Sequence, residues 1–397
     1  MEQTIAVVAA LRTPIGRMGG SLKNVPPEEL GRVVTQAVLK RTGLPPELID
    51  EVVFGHCRQS SDNPDVARLI ALKCGIPERV PAYTVMRHCA SGMTAIHSAA
   101  MSILLGENEI VVAGGVESMS TAPFYLRGAR FGVGTGNAQL LDSIVEAQFK
   151  AQPEELYGRF NMGETAENVA ERLGISRADQ DAFALGSQEK ARAAIRSGRF
   201  QEELVPVEVP QRRGEAAVFA VDEFPRDTSL EKLAALKPVF RPGGTVTAGN
   251  SSGRNDGAAA VLLMTRERAG ELGLEPLALL KAHGTAGVDP RYMGLGPVEA
   301  VGRLLHRSGL SLEDMGLIEL NEAFAAQALG CVRELGLKEE RVNVNGGAIA
   351  LGHPVGASGC RIVVTLIHEM RRRGAGLGLA TLCAGGGMGE ALALELP

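Results

Sequence analysis

Four side chains in this sequence could carry covalent chemistry without a metal. Cys89 opens the run C-A-S-G at 89–92, directly ahead of a helical stretch. At a helix start the unpaired amide protons and the macrodipole favour an anion, so a thiol there gains thiolate character. Free cysteine is also among the most buried residue types, and taken alone this stretch reads as packing. His353 lies in N-G-G-A-I-A-L-G-H-P-V-G-A-S-G, where Pro354 and the surrounding glycines predict a shaped loop. A thiol with a nearby imidazole is the nucleophile–base pair of covalent catalysis; a turn histidine bonded to backbone is the plain alternative. Cys383 leaves the apolar strand L-G-L-A-T-L and enters C-A-G-G-G-M-G. The glycines there, Gly385 among them, can present backbone N–H groups to an oxyanion, whereas the cysteine could simply pack at a strand end. Asn321, in L-I-E-L-N-E-A-F, stands at another strand end and could hold a water, or make an ordinary turn or helix cap.

The elements that would position these residues repeat along the chain. E-R-V at 78–80, A-S-G at 90–92, an Ala-rich helical run to Leu105 and I-V-V-A-G-G at 110–115 form one series. E-R-V at 340–342, A-S-G at 357–359, C-R-I-V-V-T-L-I-H-E-M and L-A-T-L-C-A-G-G at 379–386 form a second, in the same order at nearly constant offset. Upstream, L-I-D-E-V-V-F-G at 48–55 matches G-L-I-E-L-N at 316–321. This is an internal duplication of a strand–turn–helix–strand unit. Cys89 is one residue before the first A-S-G and His353 four before the second, so a pseudo-twofold axis would bring both side chains toward it. The strands are short, apolar and rich in Val and Ile, as sheets covered on both faces require. The helix at 92–105 is apolar nearly all round, with Met93, Ile96, Ala99, Ala100, Ile103 and Leu104, and must lie between two layers. The expected fold is a duplicated α/β sandwich, layered α-β-α-β-α. Residues 1–119 with 248–270 form its N-terminal half and 271–397 its C-terminal half. Residues 120–247 read as an inserted loop domain whose second helix is capped by Ser176.

Composition excludes several other classes. The chain has 397 residues, 45% hydrophobic and 22% charged, with net charge −5, so no basic field reaches for nucleic acid. Arg371, Arg372 and Arg373 suit a helix C-terminus. No apolar run is long enough to span a membrane, and M-E-Q-T-I-A-V-V-A-A reads as a first strand rather than a leader. The six cysteines form no C-x-x-C pair, which argues against a disulfide scaffold or structural zinc and for a reducing cytoplasm. Cys57, Cys74, Cys331 and Cys360 are assigned to packing. His56-Cys57 and His88-Cys89 lack further ligand spacing, and I-V-V-A-G-G-V-E-S is not a dinucleotide fingerprint.

Taken together, C-A-S-G at 89–92, T-A-G-N-S-S-G-R-N-D-G-A at 247–258, N-E-A-F at 321–324, G-H-P-V-G-A-S-G at 352–359 and C-A-G-G-G-M-G at 383–389 resemble a thiolase over essentially the whole chain. The resemblance implies acyl transfer between CoA thioesters, by Claisen condensation of two acetyl-CoA or by thiolysis of 3-ketoacyl-CoA. In that family's terms Cys89 accepts the acyl group and His353 activates it. Cys383 exchanges the Cα proton, and Asn321 holds a water that, with His353, faces the enolate oxygen. The amides of Cys89 and Gly385 form the other oxyanion hole. Ser252 would meet the pantetheine arm, with Ala248, Gly249, Ala323 and Phe324 lining its tunnel and Arg226 near the nucleotide. Acyl-CoA and CoA are then the partners, no cofactor is implied, and a homodimer or homotetramer is expected.

Two positions depart from the family pattern. Met86 stands where many relatives have asparagine. Asn161-Met162-Gly163 stands where acetoacetyl-CoA-forming members commonly have H-M-G, which leaves room for longer 3-ketoacyl-CoA substrates. A non-catalytic lipid-binding protein of the same fold would not need the four reactive residues. A decarboxylating ketoacyl synthase would pair its cysteine with two histidines, or with histidine and asparagine, rather than with a second cysteine.

Overall fold

The computed structural model describes residues 4–211 and 214–397. Strand β1 (Ile5–Arg12) is followed by α1 (Pro27–Thr42), β2 (Glu51–Gly55), α2 (Val66–Lys73), β3 (Ala82–Val85), α3 (Ser91–Leu104) and β4 (Ile110–Ser118). The chain then leaves the sheet through α4 (Met162–Leu173) and α5 (Arg177–Arg196), and returns as β5 (Asn255–Thr265). The second series is β6 (Ala278–Gly287), α6 (Gly296–Ser308), β7 (Leu317–Leu320), α7 (Ala325–Leu335), α8 (Val355–Arg373), β8 (Leu377–Ala384) and β9 (Met388–Glu395).

The strand order is β7-β8-β9-β6-β1-β5-β4-β2-β3, with the two-residue strand Gly16–Arg17 alongside β5. In the first half β3, β2 and β4 run parallel, and β5 and β1 complete it antiparallel. In the second half β7 and β8 run parallel and β9 and β6 antiparallel. An isolated parallel bridge between Ile318 and Val342 stands where β3 stands in the first half. The duplication read from the tripeptides is therefore matched strand for strand. The halves meet where Ala6 and Val7 pair with Leu279 and Ala278.

Side-chain alternation builds the layers. Ala6 and Val8 of β1 face outward onto Leu30, Val34 and Val38 of α1 and Ile70 of α2. Val7 faces inward, onto a shared core of Met93, Ile96 and Ala99 from α3 and Ile362, Val363 and Leu366 from α8. That core is closed on its far side by Leu382, Leu392 and Leu394. Beyond the second half of the sheet, Val301 and Leu304 of α6 and Ala328 and Val332 of α7 cover Ile318, Leu379 and Ala393. The expectation that α3 is apolar all round because it is buried all round holds only for its first turns, where Ser91–Ile96 are all buried. Further along, Met101 is 44% exposed, Leu104 51% and Leu105, its C-cap, 75%.

Within 120–247, Asn161 and Ser176 each cap a helix through a reciprocal capping box, with Glu164 and Asp179. Buried Arg12 of β1 ties this region to the sheet through Glu203 (2.6 Å) and Asp222 (2.8 Å). Among the described residues no helix is long and apolar enough to cross a membrane.

Candidate active site

The repeated A-S-G explains how the two halves converge. A Cβ on Gly92 of α3 would lie 2.8 Å from the Cys360 backbone nitrogen, and one on Gly359 of α8 would lie 2.5 Å from that of Met93. Only glycine lets two helix backbones approach so closely. The crossing falls at the first turn of both helices, so the residues just ahead of them, Cys89 and His353, open into one cavity of about 180 Å3.

The turn carrying Cys89 is held under strain. His88 has φ of 48°, a left-handed conformation that is uncommon for a non-glycine residue. Ser91 locks it, its Oγ accepting from the Arg87 amide (2.9 Å) and donating to the His88 carbonyl (2.6 Å). Cys57 Sγ donates to the same carbonyl (3.0 Å), so this cysteine does more than the packing assigned to it from sequence. Met86 Sδ accepts from the His88 amide at 3.4 Å, a weak substitute for an asparagine oxygen. Gly385 lines the cavity beside Cys89, and the backbone amides of Gly385 and of Cys89 itself act to lower the Cys89 thiol. Gly386 and Gly387 have φ of 82° and 80°, and a Cβ on Gly387 would lie 2.3 Å from the Val288 carbonyl, so the hairpin that presents Gly385 needs glycine there.

His353 is buried and oriented. Its amide donates to Asn255 Oδ1 (2.9 Å), and its Nδ1 lies 2.6 Å from Ser358 Oγ. Ser358 gives its own proton to the Pro354 carbonyl (3.0 Å), so it must accept from Nδ1–H. That assigns the neutral tautomer with the Nε2 lone pair free, as a base requires. Nε2 has no hydrogen-bond partner among the described residues, and neither has either side-chain atom of Asn321. Asn321 is fully buried, and its amide donates to the Thr381 carbonyl (3.0 Å). It therefore follows β7 just as Cys383 closes the adjacent parallel β8. Neither a turn nor a cap uses its side chain, since the cap residue of α7 is Phe324. Cys383 is not itself in the cavity lining but is buried against Met293 and Ala323, which are.

The CoA-side expectations divide. Ser252, Ala323 and Phe324 line the cavity. The two loops that carry them are zipped together by Ser252 N–H to Ala323 C=O (3.0 Å) and by the Ser251–Phe324 bridge. Ala248, Gly249 and Arg226 lie outside the lining. Arg226 donates to the Ala248 carbonyl (3.3 Å), and Gly249 backs onto Leu233 and Leu236. Residues not singled out from sequence also line the cavity: Arg58, His88, Gln148, Met162 and Phe240. Asn161 is absent from it, its side-chain oxygen being committed to the Glu164 amide (3.1 Å).

The helix-start expectation for Cys89 is reversed. Burial pushes its thiol up to about 11, against the pull of the Gly385 amide and Arg58. Burial also holds the Cys383 thiol well above the ordinary range, and the neighbouring Cys89 adds to it. His353 is lowered to about 3, by burial and then by Arg361. An unfolded histidine takes up its proton near 6.5, so between that value and about 3 the unfolded chain binds the extra proton. Stability therefore falls as pH drops through this window, by up to about 1.4 kcal/mol per pH unit from this residue. Denaturant melts of wild type and His353→Gln at several pH values check this: the wild-type curve should be the steeper between pH 6 and 4. Equal slopes would contradict it.

Comparison with known proteins matches both halves. The family model described as thiolase, N-terminal domain, covers residues 5–267, and that of the thiolase C-terminal domain covers 274–396. An acetyl-CoA acetyltransferase of Chromobacterium violaceum is 52% identical over 394 residues, covering 99% of this chain and 100% of the relative. The crystal structure of the Bacillus anthracis acetyl-CoA acetyltransferase superposes with a TM-score of 0.96 at 48% identity, covering 100% of this chain and 99% of the other. Human mitochondrial 3-ketoacyl-CoA thiolase in complex with CoA superposes at 0.94 and 42% identity, covering 100% and 98%. A doubled sheet, two helices crossing at glycines, and a thiol and an imidazole at that crossing thus accompany a match along the full length, and the chain belongs to the thiolase family of acyltransferases.

Proposed function

We propose that this enzyme transfers acyl groups between CoA thioesters, condensing two acetyl-CoA to acetoacetyl-CoA or cleaving 3-ketoacyl-CoA with CoA. The observation that carries the assignment of roles is the convergence of Cys89, His353 and Gly385 on one cavity. His353 Nε2 takes the Cys89 proton as the sulfur attacks the thioester carbonyl. The amides of Cys89 and Gly385 hold the resulting oxyanion. CoA departs with the Cys383 proton, leaving a thiolate there only once substrate is bound, which suits a thiol that burial keeps protonated at rest. That thiolate takes the Cα proton of the second acetyl-CoA. The enolate oxygen is met by His353 Nε2–H and by a water held on Asn321, both of which lack a protein partner among the described residues. Attack of the enolate on the acyl group expels Cys89, which recovers its proton from His353. Thiolysis is the reverse, and only protons and one acyl group move.

Ser252, Ala323 and Phe324 support the pantetheine arm entering beside Phe240 and Met162. Residues 120–247 act on this reading as an inserted unit that forms one wall, since Gln148, Met162 and Phe240 come from it. All six cysteines are free, which agrees with a reducing cytoplasm. Phe124 and Phe131, 62% and 93% exposed, support burial of the 120–140 segment in a homo-oligomer.

The kinetic test is the order of events. With acetoacetyl-CoA and CoA both varied, initial rates should give parallel double-reciprocal lines, because one product leaves before the second substrate reacts. Intersecting lines would contradict an acyl-enzyme.

A further inference from the structure

Glu390 is out of place in the pattern of its strand. Met388, Leu392 and Leu394 of β9 face the central core, and Glu390 shares their side, yet it is a fully buried carboxylate. A buried carboxylate is expensive unless its lone pairs are met. Here Oε2 accepts from Thr94 Oγ1 of α3 (2.6 Å) and from Arg87 Nη1 (3.3 Å), while Oε1 lies 2.8 Å from His283 Nε2 of β6. The His97 ring of α3 stacks on His283 with centroids 3.5 Å apart.

The location of these partners is what matters. Arg87 is two residues before Cys89, at the base of the turn strained at His88. Glu390 follows Gly389, which pairs with Cys383, and so anchors the hairpin that presents the Gly385 amide. One carboxylate thus bridges the two backbone segments that bring Cys89 and Gly385 to the same cavity. Arg87 and Glu390 are 303 residues apart in a chain of 397, whereas the Ser91 and Cys57 contacts of the Cys89 turn come from the first half alone.

We propose that Glu390 is a positioning residue for acyl transfer: through Arg87 and Thr94 it sets the Cys89 turn against the Gly385 hairpin, and so fixes the spacing of the two oxyanion donors. This rests on the reading of Cys89 as the acylated residue. An apolar residue at 390 would satisfy the core but release the turn. Displacement of a reacting group by about 1 Å can cost ~10²-fold in rate.

The test uses Glu390→Gln, Arg87→Met and the double variant in the full-length enzyme. Acetylation by acetyl-CoA is followed in a single turnover, alongside steady-state KM for CoA and thermal melting. Arg87 is partly exposed, so its variant reports even if Glu390→Gln folds poorly. Each single variant should slow acetylation by about 10²-fold with KM for CoA within about twofold of wild type, and the double variant should be no slower than either. Unchanged acetylation, a raised KM without slower acetylation, or losses that multiply in the double variant would each overturn the proposal. Failure of wild type itself to acetylate at Cys89 would instead remove the reading beneath it.

Discussion

Cys89→Ala should lower kcat/KM for acetoacetyl-CoA plus CoA by about 10⁴-fold or more, on the scale of nucleophile loss in enzymes whose nucleophile and base act as a unit. At about 1.4 kcal/mol per tenfold, that is some 5 kcal/mol or more of transition-state stabilisation. The loss is this large because, on the proposed mechanism, no acyl-enzyme forms without the Cys89 sulfur and the later carbon–carbon step then has no acyl group to act on. The Gly385 amide acts to lower that thiol, and Ser358 sets the His353 tautomer that accepts its proton. The fold should be spared, since removing one sulfur from a half-buried turn leaves the Ser91 and Cys57 bonds to His88 intact. Binding of CoA should be nearly unchanged in titrations, as the arm is met by other residues. Turnover close to wild type would refute a nucleophilic role.

Cys383→Ala separates the two halves of the reaction. The acyl group can still reach Cys89, more slowly, because departing CoA must then take its proton from water. The carbon–carbon step loses its base, and full turnover should fall by about 10²–10⁴-fold, the range for a positioned acid–base group. Rapid-quench measurement of acyl-enzyme beside steady-state thiolysis distinguishes the steps. Acylation slowed as much as turnover would mean that Cys383 acts on Cys89 rather than on substrate carbon. Because Cys383 packs against Met293 and Ala323, alanine leaves a small cavity and a modest stability loss, about 1 kcal/mol.

What the sequence made legible was local. The A-S-G tripeptides announce the duplication, and the reason is steric: each glycine sits where one helix backbone touches the other. Cys89 and His353 are readable as a pair because both lie just ahead of that crossing. Glu390 was not readable. Its partners come from two distant segments, Arg87 and Thr94 from 87–94 and His283 from β6, and in sequence it is one charged residue in an alternating strand. Ser358 was hidden inside the A-S-G repeat, whose packing role is enough to explain it. The choice left open for Cys89, thiolate or packed thiol, turns on burial, which raises the thiol against the pull of the Gly385 amide and Arg58, a balance that spacing cannot reveal. Asn161 stands where acetoacetyl-CoA-forming relatives commonly have histidine, and its oxygen is taken by the helix it begins.

The acyl-enzyme itself is the most direct measurement. Wild type and Cys383→Ala are mixed with acetyl-CoA, quenched in acid, digested and mapped by mass spectrometry. One acetyl group per chain should appear on the peptide carrying Cys89, as a thioester discharged by added CoA. Acetyl on any other residue, or none on Cys89 while turnover persists, would contradict the mechanism.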